Sequence, residues 1–82
     1  MTITFITENN TIFAVAENQR YKGKMYEELM YAEITPLHTG FVVKWNDDFF
    51  TPVTALTVVD AKQYIKENHL QHEPISNGKE WI

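Results

Sequence analysis

Twenty-six consecutive residues, Leu29 to Thr54, hold two turn signals set between β-favouring apolar runs, and they constrain the fold more than any other part of the chain. Pro36-Leu37-His38-Thr39-Gly40 and Asn46-Asp47-Asp48 are turn-forming by composition. Between them "FVVKW" alternates Phe41, Val43 and Trp45 on one face, the period of a strand with one buried side. Phe49 to Thr54 continues as another strand. Pro52 lacks an N–H for a ladder bond, so this strand belongs at an edge or its end. Two consecutive antiparallel hairpins follow.

Upstream, Thr2 to Thr7 alternates threonine with Ile3 and Phe5, and Thr11 to Glu17 reads as its hairpin partner. Phe13 and Val15 share one face of that second strand; Ile12, Ala14 and Ala16 share the other. Asn9-Asn10 joins the two, since asparagine tolerates the left-handed backbone a tight hairpin needs. Asn18 to Lys24 then breaks the apolar pattern as a loop or an extended strand end. Met25 to Glu33, "MYEELMYAE", is ambiguous. Its residues are good helix formers, yet Met30, Ala32 and Ile34 alternate against Tyr31, Glu33 and Thr35. The pattern favours a strand from about Leu29; a short helix over about 25–31 is the alternative.

Thr57 stands as an N-cap with Asp60 three positions on, a variant of the capping box. From Val58 to His69 the spacing is helical, with Val58, Ala61 and Ile65 on one stripe, Tyr64 beside it, and Lys62, Lys66 and Glu67 outward. The expected fold is α+β: an antiparallel sheet of four or five strands with the C-terminal helix, about 58–69, packed on one face. The alternative order is ββαββα, with the short helix at about 25–31. Trp81-Ile82 is expected to pack on the domain or on a partner.

With 82 residues the chain makes one domain, 1–82, and at that size folding buries only about 60–65% of the unfolded surface. Apolar residues form 44% and aromatics 13%, enough for one core. Cysteine is absent, which excludes disulfides, thiolate metal sites and thiol catalysis, and makes a reducing cytoplasm the expected location. No apolar run reaches membrane-spanning length, and "MTITFIT" has neither the basic region nor the cleavage site of a secretory signal. A net charge of −4 disfavours general attraction to nucleic acid or anionic lipid.

Reactive constellations are few. His69 and His72 lie three apart and could share a helical face, with Glu67 or Glu73 nearby. Zinc needs more ligands in fixed geometry, and a histidine at a helix C-terminus ordinarily bonds the last carbonyls. No metal or other cofactor is therefore expected. Ser76 has no nucleophile-elbow context, and His38 has no third group to orient it. Glu27-Glu28 and Asp47-Asp48 are adjacent pairs, which point to opposite faces of a strand and make no shared-proton dyad. Enzyme activity is not expected.

Charge gives the sharper signal. Three of the seven basic residues, Arg20, Lys22 and Lys24, fall within five positions, interleaved with Tyr21 and followed by Tyr26. That leaves four basic residues against eleven acidic in the rest of the chain. Such a segment can hold phosphates and stack a base, or serve as a solvated loop paired with Glu27 or Glu28. Exposed carboxylates, including Glu27, Glu28, Asp47 and Asp48, can present a negative face to a basic partner. In size, charge and absence of cysteine the chain is similar to small acidic α+β proteins of bacteriophages and other mobile elements. Many of those inhibit host enzymes or immune systems by direct binding, anti-CRISPR proteins among them; the likeness transfers no residue.

The expectation is a non-enzymatic, phage-type inhibitor that blocks a larger host protein or nucleoprotein complex. Its contacts are Arg20, Tyr21, Lys22, Lys24, Tyr26, Glu27, Glu28, Asp47 and Asp48. The alternative is a nucleotide or nucleic-acid binding module on 20–26. A homodimer through an open sheet edge and the terminal Trp81-Ile82 is compatible with either.

Overall fold

The computed structural model describes residues 2–76 and 80–81. Five antiparallel strands form the body of the sheet in sequence order: β1 (Thr4–Glu8), β2 (Thr11–Tyr21), β3 (Lys24–Leu37), β4 (Gly40–Trp45) and β5 (Asp48–Ala55). Helix α1 (Val58–Asn68) follows and tightens into a single 3-10 turn, His69–Gln71. The chain then returns to the sheet through two short strands, β6 (Ile75–Ser76) and β7 (Glu80–Trp81), both paired with β3. This is the α+β arrangement expected, with the helix at the C-terminal side. No helix among the described residues is long and apolar enough to cross a membrane.

Turn chemistry explains the hairpins. Asn9 and Asn10 both take positive φ, 49° and 68°, as a two-residue turn that follows the right-handed strand twist requires. Lys22 and Gly23 do the same at 50° and 84°, so the "NQRYKGK" segment is not a loop but the end of β2 and its turn into β3. Pro52 falls in β5, an outer strand of the sheet, where its missing N–H costs no ladder bond.

The short helix at 25–31 does not form; those residues lie within β3. Their helix propensity amounts to a few tenths of a kcal/mol per residue. Against it stand ladders on both sides, to β2 from Lys24 to Ile34 and to β7, β6 and β4 along the opposite edge. Tertiary pairing of a central strand wins. A bulge also alters the expected alternation: Ala14 pairs with Ala32 but Val15 with Met30, which leaves Tyr31 as the extra residue. Tyr31 thus joins Ala32 and Ile34 in the core rather than facing away from them.

Ile65 and Ala61 of α1 pack on Ala14, Ala16, Ala32, Ile34, Val43 and Trp45. Small alanines on β2 and β3 let the helix approach closely, and the larger Trp45 closes the side. Thr57 caps the helix, its hydroxyl accepting from the Asp60 amide at 3.1 Å.

Candidate binding site

The nine residues singled out by charge fall at two places in the fold. Arg20, Tyr21, Lys22, Lys24 and Tyr26 form the tip of the β2–β3 hairpin, with Tyr21 opposite Lys24 and Arg20 opposite Met25. Glu27 and Glu28 continue down β3. Asp47 lies in the β4–β5 turn and Asp48 opens β5. One residue that charge did not single out, Glu73, joins the two places. Its carboxylate accepts from Lys22 Nζ at 3.3 Å, while its backbone N–H donates to Asp47 Oδ2 at 2.8 Å.

At the tip, the positive charges are partly turned inward on the chain. Arg20 donates to the Gly23 carbonyl at 3.3 Å. Lys22 sits 5.4 Å from the Tyr21 ring centroid and ion-pairs with Glu73. The hydrogen bond and charge of Glu73, with a smaller contribution from Tyr21, raise the Lys22 ammonium above the ordinary lysine value. Both partners of this pair are well exposed, so it orients the tip without adding much stability.

Asp47 is held far more firmly. Asn46 donates from its backbone N–H to the Tyr31 carbonyl at 3.0 Å and from its side chain to the Met30 carbonyl. These bonds pin the turn to β3. Asp47 Oδ1 lies 2.8 Å from His72 Nδ1, and a carboxylate can only accept, so that nitrogen carries the proton. The His72 ring stacks on Trp45 at 3.7 Å between centroids and 2° between planes. Trp45 in turn donates Nε1–H to the Tyr64 hydroxyl at 3.3 Å and is buried. Partial burial pushes the Asp47 carboxyl up, but the Glu73 amide, the His72 hydrogen bond and the His72 charge outweigh it. The group lies below its usual value. Asp48, beside it, accepts from the Thr51 hydroxyl.

Asp47 therefore serves as the anchor of a latch that holds the segment after α1 against the sheet, while its side chain stays partly exposed. Replacing Asp47 with alanine is expected to cost about 2–3 kcal/mol near neutral pH, the value of two bonds to a charged acceptor at a partly solvated site. Because the folded-state carboxyl titrates below its unfolded value, this contribution is whole above the ordinary carboxylate range. It is lost as pH falls through the folded value. The gap in urea midpoint between wild type and Asp47→Ala should be full at about pH 7 and narrow as pH falls below the ordinary carboxylate range; a gap that does not narrow in acid contradicts the latch.

The two histidines go separate ways. His69 Nδ1 meets the Lys66 carbonyl at 3.0 Å, the helix-end contact expected, and its ring stands edge-on to Tyr31 at 5.3 Å. His72 faces Asp47. Among the described residues no group of three histidine or acidic side chains could hold a metal ion.

A different surface was missed by charge. Leu37 and Leu56, with Phe41, Ala55 and Gly40, line a shallow depression of about 170 Å³ where the β3–β4 hairpin meets the end of β5. Leu56 is 80% exposed and Val59, three residues on, 70%. Gly40 is required here: a Cβ would stand 2.4 Å from the Ala55 carbonyl oxygen. The sequence signal was available as Leu56, an apolar residue just outside the helix stripe. Of the terminal pair expected to pack, Ile82 lies outside the described residues, and Trp81 pairs through its backbone with Met25. No protein-family model, curated protein or solved structure matches the chain.

Proposed function

We propose that the protein is a non-enzymatic binding protein of the cytoplasm that blocks a larger protein or nucleoprotein complex by direct contact, as phage-type inhibitors of host defence do. The observation that carries this reading is the apolar end of the sheet. Leu37 and Leu56 are exposed large aliphatics that line one depression there, and the exposed Val59 follows three residues after Leu56 on the first turn of α1. Grouped exposed apolar surface marks interaction sites in small proteins, whereas scattered single residues need no explanation. The basic hairpin tip and the carboxylates of Glu27 and Glu28 lie toward the opposite end of β3 from Leu37 and form a separate charged surface, of a kind that governs association rate and specificity more than affinity.

The competing role, a nucleotide or nucleic-acid module on Arg20, Tyr21, Lys22 and Lys24, draws less from the geometry. Lys22 is committed to Glu73, and a polynucleotide site needs a broader run of phosphate contacts. Steeply salt-dependent binding of an oligonucleotide, lost on neutralising the three basic residues, would favour it instead.

Leu56→Asp with Val59→Asp tests the main reading. Both side chains are exposed, so the variant should fold with stability within about 0.5 kcal/mol per site of wild type. Immobilised wild-type chain should retain a specific partner from bacterial lysate, and the double variant should bind that purified partner at least about tenfold more weakly. Equal affinity of the two for the partner overturns the assignment.

A further inference from the structure

We propose that the outer edge of β1 is a strand-acceptor site for an extended segment of a partner protein in which acidic and aliphatic side chains alternate. β1 ends the sheet, with β2 on one side and no described strand on the other. Its five residues pair with β2 in unbroken register, from Thr4 opposite Val15 to Glu8 opposite Thr11. Glu8 and Thr11 close the two-residue Asn9-Asn10 turn, and the closing pair of such a hairpin exchanges both its hydrogen bonds. Alternation along an antiparallel ladder then directs the N–H and C=O of Phe5 and Thr7 away from β2. Proline, an inward charge or a bulge ordinarily blunts such an edge. β5, the other outer strand, carries Pro52; β1 has none of these devices.

Charge selects the occupant. Phe5 faces α1, where Lys62 Nζ lies 5.3 Å and Lys66 Nζ 5.9 Å from its ring centroid. The two lysines sit one helical turn apart, a like-charge spacing that is unfavourable in isolation. Neither makes an ion pair with a described carboxylate. Glu8, the one acid of β1, lies on the opposite face with Thr4 and Ile6. A strand added beside β1 stands less than about 5 Å away, so a carboxylate on its helix side comes within reach of both ammonium groups. On the face away from α1, Ile6 lies opposite Phe13, both half-buried, and an aliphatic side chain of the added strand extends that row. Acidic residues on one face and aliphatic on the other therefore match the edge. A second copy matches it worse. Two-fold pairing of β1 with itself puts both helices on one side of the joined sheet, bringing another Lys62 and Lys66 to the face that lacks a carboxylate. This edge lies across the sheet from the Leu37–Leu56 depression and takes its segment independently of what binds there.

The probe is a short blocked peptide alternating valine and glutamate, with a valine–lysine peptide as its counterpart. Titrated at low salt into the isotopically labelled wild-type chain, the glutamate peptide should shift the Phe5 and Thr7 amide resonances saturably. It should bind at least about tenfold more tightly than the lysine peptide, a difference of about 1.4 kcal/mol. N-methylating one alternate set of its amides should abolish binding, and N-methylating the other set should leave it intact, because an added strand pairs through one edge. Lys62→Gln with Lys66→Gln should weaken the glutamate peptide about tenfold. If circular dichroism shows that variant unfolded, the peptide comparisons on the wild type decide alone. The proposal is overturned by the absence of a saturable shift, by equal affinity for the two peptides or the two methylated forms, or by full affinity in the folded double variant. Phe5 and Thr7 amides that shift with protein concentration when no peptide is present would assign the edge to a second copy, which overturns it as well.

Discussion

Trp45→Ala should remove about 3–5 kcal/mol of stability, the range for truncating a buried tryptophan, from a fold whose total is of order 5–15 kcal/mol. The same change should release the tail. Trp45 is 2% exposed and lies in the core against the helix, yet its indole is also the surface on which His72 stacks. Removing it opens a core void and withdraws the support that places the His72 ring beside Asp47. Trp45→Phe separates the two roles: it keeps an aromatic face and most of the volume, losing the bond to the Tyr64 hydroxyl, worth about 1 kcal/mol. Urea unfolding followed by circular dichroism reads the first effect. Hydrogen exchange of the Ile75 and Ser76 amides reads the second. Exchange there should quicken in Trp45→Ala and change little in Trp45→Phe. Unaltered exchange in Trp45→Ala would mean that Asp47 holds the tail without the indole.

That double duty was not legible in the sequence, and the reason is distance along the chain. The hairpins could be read because their determinants are local: Asn9 and Asn10 carry the positive φ of their own turn. Thr57 caps its helix within three residues, and Ala61 with Ile65 marks the buried stripe. Met25 to Tyr31 was ambiguous because its local propensity opposes the pairing imposed by neighbours on both sides. The face of Tyr31 was misread because one bulge residue shifts every position beyond it. Asp47 and His72 are 25 residues apart, and Lys22 and Glu73 are 51 apart. Neither pairing leaves a periodic trace. Charge counting found the basic tip because clustering is a local property. It could not find Glu73, whose position is set by how the helix returns the chain to the sheet. Asp47 illustrates the converse: as one of two adjacent turn acids it looked like solvent-facing charge, and the turn's attachment to β3 made it an anchor.

Ile65→Ala should cost about 3 kcal/mol, because a fully buried aliphatic loses both its transfer energy and its packing. Val59→Ala, on the same helix but 70% exposed, should stay within about 0.5 kcal/mol of wild type. The contrast matters for the tail as well as for the helix. Ile65 and Ala61 are the buried residues of α1, so they fix where the helix lies on the sheet. The helix then carries Tyr64 to Trp45 and leads through the 3-10 turn, where His69 meets Tyr31, to His72. Loosening α1 therefore also loosens the latch. In a double-mutant cycle, Ile65→Ala with Asp47→Ala should cost less than the two single changes added, by about 0.5–1 kcal/mol, since the first already gives up part of what the second removes. Denaturant midpoints of the four proteins supply the cycle. Strict additivity would show that the tail is held by the β4–β5 turn alone, and that the helix positions it no better than a flexible tether would.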